Sequence, residues 1–372
     1  MEENVELARQ VITQCLNIAK GENVWIQTWN HTIDLASEIA LACLERGAQP
    51  FITLNDENYW TRSLQEAPKE FLEALPSTKA ATLEQTDAFI FMLGPKKPVD
   101  WSRIPPEKQE LANIWYLESN KYIDSWRKIA RKRSVRTLGI EYCLVTPERA
   151  KSFGINYEEW GRVMLAGCLA DQRQIAERAA GLAKITRKSR TVNIQTSFGT
   201  NLNFMLIERE PVTGDSVVTK EDADKGIVKF LPSGFVEVAP DEDSAEGIVV
   251  YDVPIPVRGS RSIEGLTLHF SQGRVVRYSA QRGIEPFEDY IKSGQGDVGK
   301  FGFFGMGLNS GLIHGLTQDD KVLGGATIGI GGNEDKCGKN RTVGNRHWWA
   351  SMSEATVKLD GKIVLSDGKL QL

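Results

Sequence analysis

Long apolar runs are missing from this chain. Gly247-Ile248-Val249-Val250-Tyr251 is a typical stretch, far short of the roughly 20 residues that cross a bilayer as a helix. Cysteine is scarce: Cys15, Cys43, Cys143, Cys168 and Cys337 are widely spaced and form no CxxC pair, which argues against a disulfide framework or a zinc cluster. Histidine is scarcer still, with four residues. No GxGxxG follows the first strand pattern, so a dinucleotide site has no support. Neither sign of charge dominates. A formal net charge of -4 gives no reason to expect nucleic acid or a membrane surface as partner. The start, Met1-Glu2-Glu3-Asn4, is acidic where a secretory leader would be basic and then apolar, so the expected location is the cytoplasm.

The 372 residues, 41% of them hydrophobic and 25% charged, suffice for two folded domains. In the first half, helix and strand patterns alternate. Apolar residues recur at helical spacing from Val5 to Ala19 and from Asp34 to Arg46. Asn23–Thr28, Pro50–Leu54, Ala88–Leu93 and Thr137–Ile140 read as strands. Their order implies a parallel sheet covered on both faces, an α/β domain. A helical stretch from Tyr157 to about Lys184 and the basic run Lys184–Arg190 close this half, placing the boundary between domains 1–188 and 189–372. The second half is β-rich α+β. Val192–Thr196, Gly247–Tyr251, Leu266–Phe270 and Val275–Tyr278 read as strands, and Thr356–Val364 as a hairpin turning at Asp360-Gly361. Cys15, Cys43 and Cys168 sit in apolar helical patterns and are expected in the core.

Several segments of the second half carry a resemblance. Leu231-Pro232-Ser233-Gly234-Phe235-Val236-Glu237-Val238-Ala239-Pro240 leads into the acidic turn Asp241–Gly247. Gly305–Asn309, Val322–Gly331 and Arg346-His347-Trp348-Trp349 follow, and then the final hairpin. In this order they resemble the aminopeptidase T family of metallopeptidases. Pro232–Phe235, Glu242–Gly247 and Gly331-Gly332-Asn333 sit nearest its iron-dependent 2,5-dihydroxypyridine dioxygenase branch. The resemblance implies a homodimer formed through the C-terminal domain. It also implies a site of paired divalent metals that polarise a carbonyl and generate hydroxide.

At the positions that the resemblance assigns to metal ligands, this chain departs. Phe235 and Phe303 stand for glutamates, the latter being histidine in the dioxygenases. Thr327 stands for a histidine and Trp349 for an aspartate, and only His347 is kept. No metal or other cofactor is therefore expected. The expected catalytic residue is His347, as general acid or base. Expected around it is an aromatic pocket of Phe235, Phe303, Phe304, Trp348 and Trp349. Trp348 and Trp349, being adjacent in a strand, should face opposite ways. Glu237, two residues beyond Phe235, is a substitute acidic group on the same strand face. Lys339, Arg341 and Arg346 could hold an anion, and Asn309, Asn333 and Asn345 could orient a substrate or cap turns. Cys337 is a conceivable nucleophile. His314 lies closest to the site segments of the other histidines. His269 reads as a solvent-facing strand residue and His31 as a loop residue of the first domain.

Three readings follow. The first is a metal-independent enzyme on a small molecule. It would be a hydrolase or lyase whose substrate, by the resemblance, carries an amide or an N-heterocycle. The second is an aminopeptidase with displaced ligands, Glu237, His314, His347 and Asp319 or Asp320. The third is a small-molecule binding protein without catalysis.

Overall fold

The computed structural model describes residues 2–112, 121–259 and 261–371. Two compact units divide the chain, and each takes two segments of it. The first is Met1–Arg149 with Ser216–Pro232, and the second is Ala150–Asp215 with Ser233–Leu372. The expected boundary after residue 188 falls inside the second unit.

The first unit is built on a parallel sheet in the order Gln49–Asn55, Asn23–Trp29, Ala88–Met92, Arg136–Ile140, Val228–Leu231. Ala88–Met92 is buried throughout, as a central strand covered on both faces must be. The fifth strand comes from far along the chain and was not expected. Helices Glu2–Gln10 and Ile33–Glu45 pack together. The first is shorter than its periodicity suggests, because Val11–Cys15 widens into a π-turn.

The second unit opens with helices Tyr157–Leu169 and Gln172–Lys188. The expected single helical stretch breaks where the Asp171 carboxylate accepts from the backbone N–H groups of Arg173 and Gln174, a cap that starts a new helix. The basic run is the last turn of that helix and the residues after it. Two large antiparallel sheets follow, with a two-stranded one formed by Ile255–Val257 and Arg261–Ile263. The larger has eight strands, from Arg274–Ser279 at one edge to Lys369–Leu370 at the other. It holds the Thr356–Leu359 and Lys362–Ser366 hairpin, whose Asp360 and Gly361 take φ of 48° and 79°, as a tight two-residue turn requires. The smaller sheet runs His347–Met352, Ala326–Gly331, Phe301–Gly307, Phe235–Val238, Val212–Gly214. Residues of both sheets meet in one core, where the Phe204 ring lies edge-on to Phe301 and Phe304 with centroids 4.9 and 5.5 Å apart.

Candidate functional site

Strand register decides which side chains share a surface. In the smaller sheet, Gly307 pairs with Phe235, Gly305 with Glu237 and Thr327, Phe303 with Gly329, Thr327 with Ser351, Gly329 with Trp349 and Gly331 with His347. Alternation then puts Phe235, Glu237, Phe303, Thr327, Trp349 and His347 on one face. Val236, Phe304, Ile328 and Trp348 go to the other, into the core. All five positions where the resemblance expects ligands thus lie on a common surface.

A bulge is essential to this arrangement. The register shifts between Phe301 and Phe303. Without the shift these two rings would share a face. With it, Phe301 packs on Phe204 and Phe270 in the core, and Phe303 turns to the site face.

Two expectations are corrected by parity. Phe304 is a core residue. Trp348 packs mainly on the core side, with its ring 5.4 Å from Phe287 and 5.7 Å from Tyr290, and only borders the site. Trp349 faces the opposite way, as adjacent strand residues must.

The site-face rings lie over glycines. A Cβ on Gly329 would stand 2.1 Å from the Phe303 ring, and one on Gly214 would stand 2.1 Å from the Phe235 ring. Thr327 and Ser351 are buried and share a hydroxyl hydrogen bond of 2.8 Å.

Beside Phe303 sits a charge that sequence reasoning missed. The Lys336 ammonium lies 4.4 Å from the Phe303 ring centroid, 3.3 Å from Glu237 Oε2 and 2.7 Å from Asp335 Oδ2. Lys336 and Glu237 are both buried. Burial works against the ammonium, but the two carboxylates outweigh it and hold the Lys336 pKa above its ordinary value. Burial pushes the Glu237 carboxyl up to about 7 against the pull of Lys336, with Asp320 adding to the rise. Asp335 is the nearer partner, so Lys336 stays charged whichever state Glu237 adopts. The His347 ring meets Phe303 edge-on at 5.8 Å.

His347, Trp349 and Ser351 border a cavity of about 470 Å³. Its other walls include Asp319, Thr317 and Arg258. Asp319 is buried and accepts from the N–H groups of Gly315 and Leu316. Burial outweighs these bonds and pushes its carboxyl up to about 8, so it is largely a neutral acid at pH 7. Thr317 and Asp319 from one loop, Arg258 from another and the strand that starts at His347 converge here, which no local spacing reveals.

The remaining candidates are placed as follows. Asn309 is fully buried, donates to the carbonyls of Gly167 and Ser233 and accepts from Gly311 N; its amide pins loops together. Asn333 is likewise committed, donating to Glu242 and Gly302 and accepting from Asn340 N. The side chain of Asn345 lies outside the described residues. Arg341 pairs with Glu334 at 2.9 Å and donates to the carbonyls of Gly338 and Asn340. Lys339 is exposed, and its backbone N–H donates to Glu242. Arg346 is exposed, stacks 5.4 Å over Tyr290, and shares a shallower depression with His347. The basic side chain on the cavity of about 470 Å³ is instead Arg258.

His314 is not on the cavity wall. Its ring packs over Gly325, and burial lowers its pKa. His269 is half-buried. His31, in the first unit, hydrogen-bonds the Cys143 carbonyl at 3.1 Å. Cys337 is exposed in a left-handed conformation, and the other four cysteines are buried.

Two solved structures share the fold over essentially the whole chain. Wild-type AmpT from Thermus thermophilus matches with a TM-score of 0.67 and 18% identity, covering 100% of both chains. 2,5-Dihydroxypyridine dioxygenase from Pseudomonas putida KT2440 matches with a TM-score of 0.64 and 16% identity, covering 99% of this chain and 96% of the other. No curated protein matches in sequence. The thermophilic metalloprotease (M29) family matches residues 2–302.

The family description implies a metal, and the side chains here do not fit one. Among the described residues no group of three or more His, Cys, Asp or Glu side chains is placed to hold an ion. The aligned surface offers two phenylalanines, a threonine and a tryptophan. A protonated lysine occupies its polar end beside Glu237. By its family match and the course of its fold, this chain belongs to the thermophilic metalloprotease (M29) family.

Proposed function

We propose that this protein is a metal-independent hydrolase of small amides or cyclic amides of N-heterocyclic type. The observation that carries this is the cavity of about 470 Å³ with His347 and Asp319 on its wall. Its size and aromatic lining suit one small molecule. Hydrolysis needs a base to take a proton from water and an acid to protonate the departing nitrogen. His347 supplies the base, and Asp319, kept neutral by burial, supplies the acid. Trp349 stacks the planar substrate, and Arg258 steadies an anionic substituent. The substrate class draws on the family's peptidase description and on the N-heterocycle in the name of one fold relative.

Lys336 sets an ammonium on the site face, paired with Asp335 and Glu237. The Glu237–Lys336 pair keeps the Phe303 end polar while Phe303 and Trp349 exclude water. The chain acts as a homodimer, which light scattering tests against the 41.4 kDa monomer mass. Among the described residues, no helix is long and apolar enough to cross a membrane.

The test is turnover on a panel of small linear and cyclic amides, with metal content measured after dialysis. Turnover that survives chelation and is lost in Asp319→Asn supports the reading. One or two equivalents of zinc, iron, manganese or cobalt, with activity lost on chelation and restored by metal, would sink it.

A further inference from the structure

The parallel sheet of the first unit holds a second cavity, unrelated to the His347 surface. From Asn23–Trp29 the chain steps outward to the edge strand Gln49–Asn55, then returns across to Ala88–Met92 and continues the other way. The direction of winding reverses between the Trp25 strand and the Phe89 strand. In open parallel sheets, the crevice beyond the carboxyl ends of two such strands is where ligands bind. A cavity of about 160 Å³ lies there, reaching Trp29 at the end of one strand and Leu93 and Gly94 beyond the other.

The two faces of this sheet differ in kind. One carries Val24, Ile26, Ala88 and Ile90, all buried and aliphatic or small. The other carries Trp25, Gln27 and Trp29 opposite Phe89 and Phe91, and it forms the cavity wall. An amide in the middle of an aromatic face is a poor packing choice. Gln27 is half-buried and makes no side-chain hydrogen bond among the described residues.

Phe89 and Phe91 stack at 17° along their own strand, but the rings they meet from other elements tilt instead of stacking closed. Trp25 and Phe89 meet at 52°, Phe89 and Trp126 at 51°, and Trp29 and Trp60 at 85°. Two indoles are fixed by hydrogen bonds, Trp25 to Thr53 Oγ1 at 2.7 Å and Trp29 to the Met92 carbonyl at 2.9 Å. The gap between them is therefore held open. Lys79 stands at the rim, donating to Tyr122 Oη at 3.3 Å. It is half-buried and forms no ion pair among the described residues, an unneutralised cation facing aromatic walls.

We infer that this cavity binds a monocyclic aromatic carboxylate, its ring between the Trp29 and Phe91 walls, its carboxylate on Lys79 and its ring substituent on Gln27. The volume is that of one ring, close to apolar cavities that accept benzene. Charge-assisted pairing with a half-buried ammonium then selects an anion over its neutral analogue.

Benzoate and benzamide are the probes, titrated into the full chain labelled with 5-fluorotryptophan and read by fluorine NMR. Trp→Phe variants assign the signals. Benzoate should saturably shift the Trp29 and Trp60 signals with a Kd of roughly 0.1–1 mM. Lys79→Met should weaken benzoate roughly tenfold and leave benzamide unchanged, and Lys79→Arg should restore most of the loss. An unchanged signal from Trp101, in the same unit but off the cavity wall, reports in each variant that the first unit is folded. Three results would overturn the site: no shift at Trp29 or Trp60 up to tens of millimolar benzoate, shifts at Trp348 and Trp349 alone, or equal benzoate affinity in Lys79→Met.

Discussion

Each unit has a sheet with one aromatic face, and the two faces come out differently. In the first unit, several tilted rings surround a gap, and the lysine at its rim has no carboxylate partner among the described residues. In the second, Phe303 and Phe235 lie flat over Gly329 and Gly214, and the lysine is held between two carboxylates. Phe303 and Phe235 settle over cross-strand glycines and fill the space. In the first unit Phe91 also lies over a glycine, Gly139, but Trp25 and Phe89 face each other across the strands and tilt. A face rich in aromatics is thus not by itself a pocket or a core, and its whole set of cross-strand partners decides which it becomes.

The sharpest way to break the comparison is to remove the chemistry from the second unit. His347→Ala should lower turnover by roughly 10²–10⁴-fold with little change in melting temperature. Loss of folding with normal activity per folded molecule would make His347 structural.

Next in size is the glycine floor. Gly329→Ala places a methyl 2.1 Å from the Phe303 ring and should cost about 1–3 kcal/mol of stability in urea unfolding. In Phe303→Leu/Gly329→Ala most of that cost should vanish. An unaffected Gly329→Ala would show that the ring is free to leave.

Protons sharpen the contrast further. The fold raises Asp319 from an ordinary 3.8 to about 8, so the native state keeps a proton that the unfolded chain releases. This stabilisation is complete below pH ~4 and is lost as pH rises through about 8. Its slope is at most about 1.4 kcal/mol per pH unit. Asp319→Asn should flatten stability against pH between 5 and 8; an unchanged profile would remove the neutral acid from the mechanism. By the same reasoning, Lys336→Met should destabilise by about 1–3 kcal/mol at pH 8, where it leaves the Glu237 carboxylate buried and unpaired. It should cost less at pH 5, where Glu237 takes up a proton. Equal losses at both pH values would mean that the ammonium is not what sustains Glu237.

The smallest effect concerns the histidines away from the cavity. His314→Ala and His269→Ala should change turnover far less than His347→Ala.

Much of the architecture was legible. Ala88–Met92 announced itself by unbroken apolarity, and the last hairpin by Asp360-Gly361. The common face of the ligand positions follows from strand parity once the family register is recognised. What escaped has physical causes. The Val228–Leu231 strand joins the first sheet by a long-range pairing that no local pattern encodes. Phe301, Phe303 and Phe304 could not be sorted without the bulge at Gly302, because one inserted residue reverses the alternation. Lys336 looked like a neighbour of Cys337 in sequence; only folding the 333–340 loop against the Glu237 strand turns it into that carboxylate's partner. Asn309 and Asn333 looked like substrate groups because loop asparagines do either job; the hydrogen bonds of Asn309 are spent on backbone and those of Asn333 on backbone and the Glu242 carboxylate.

The ammonium beside Glu237 has one more consequence. An ion held by ligands is present in proportion to its concentration, and its hold is contested by every chelator and competing cation. A side-chain ammonium cannot be diluted or chelated away from its site. Lys336 stands by Glu237 at any dilution, made once with the peptide chain, and the field there answers to protons but not to the supply of metal ions.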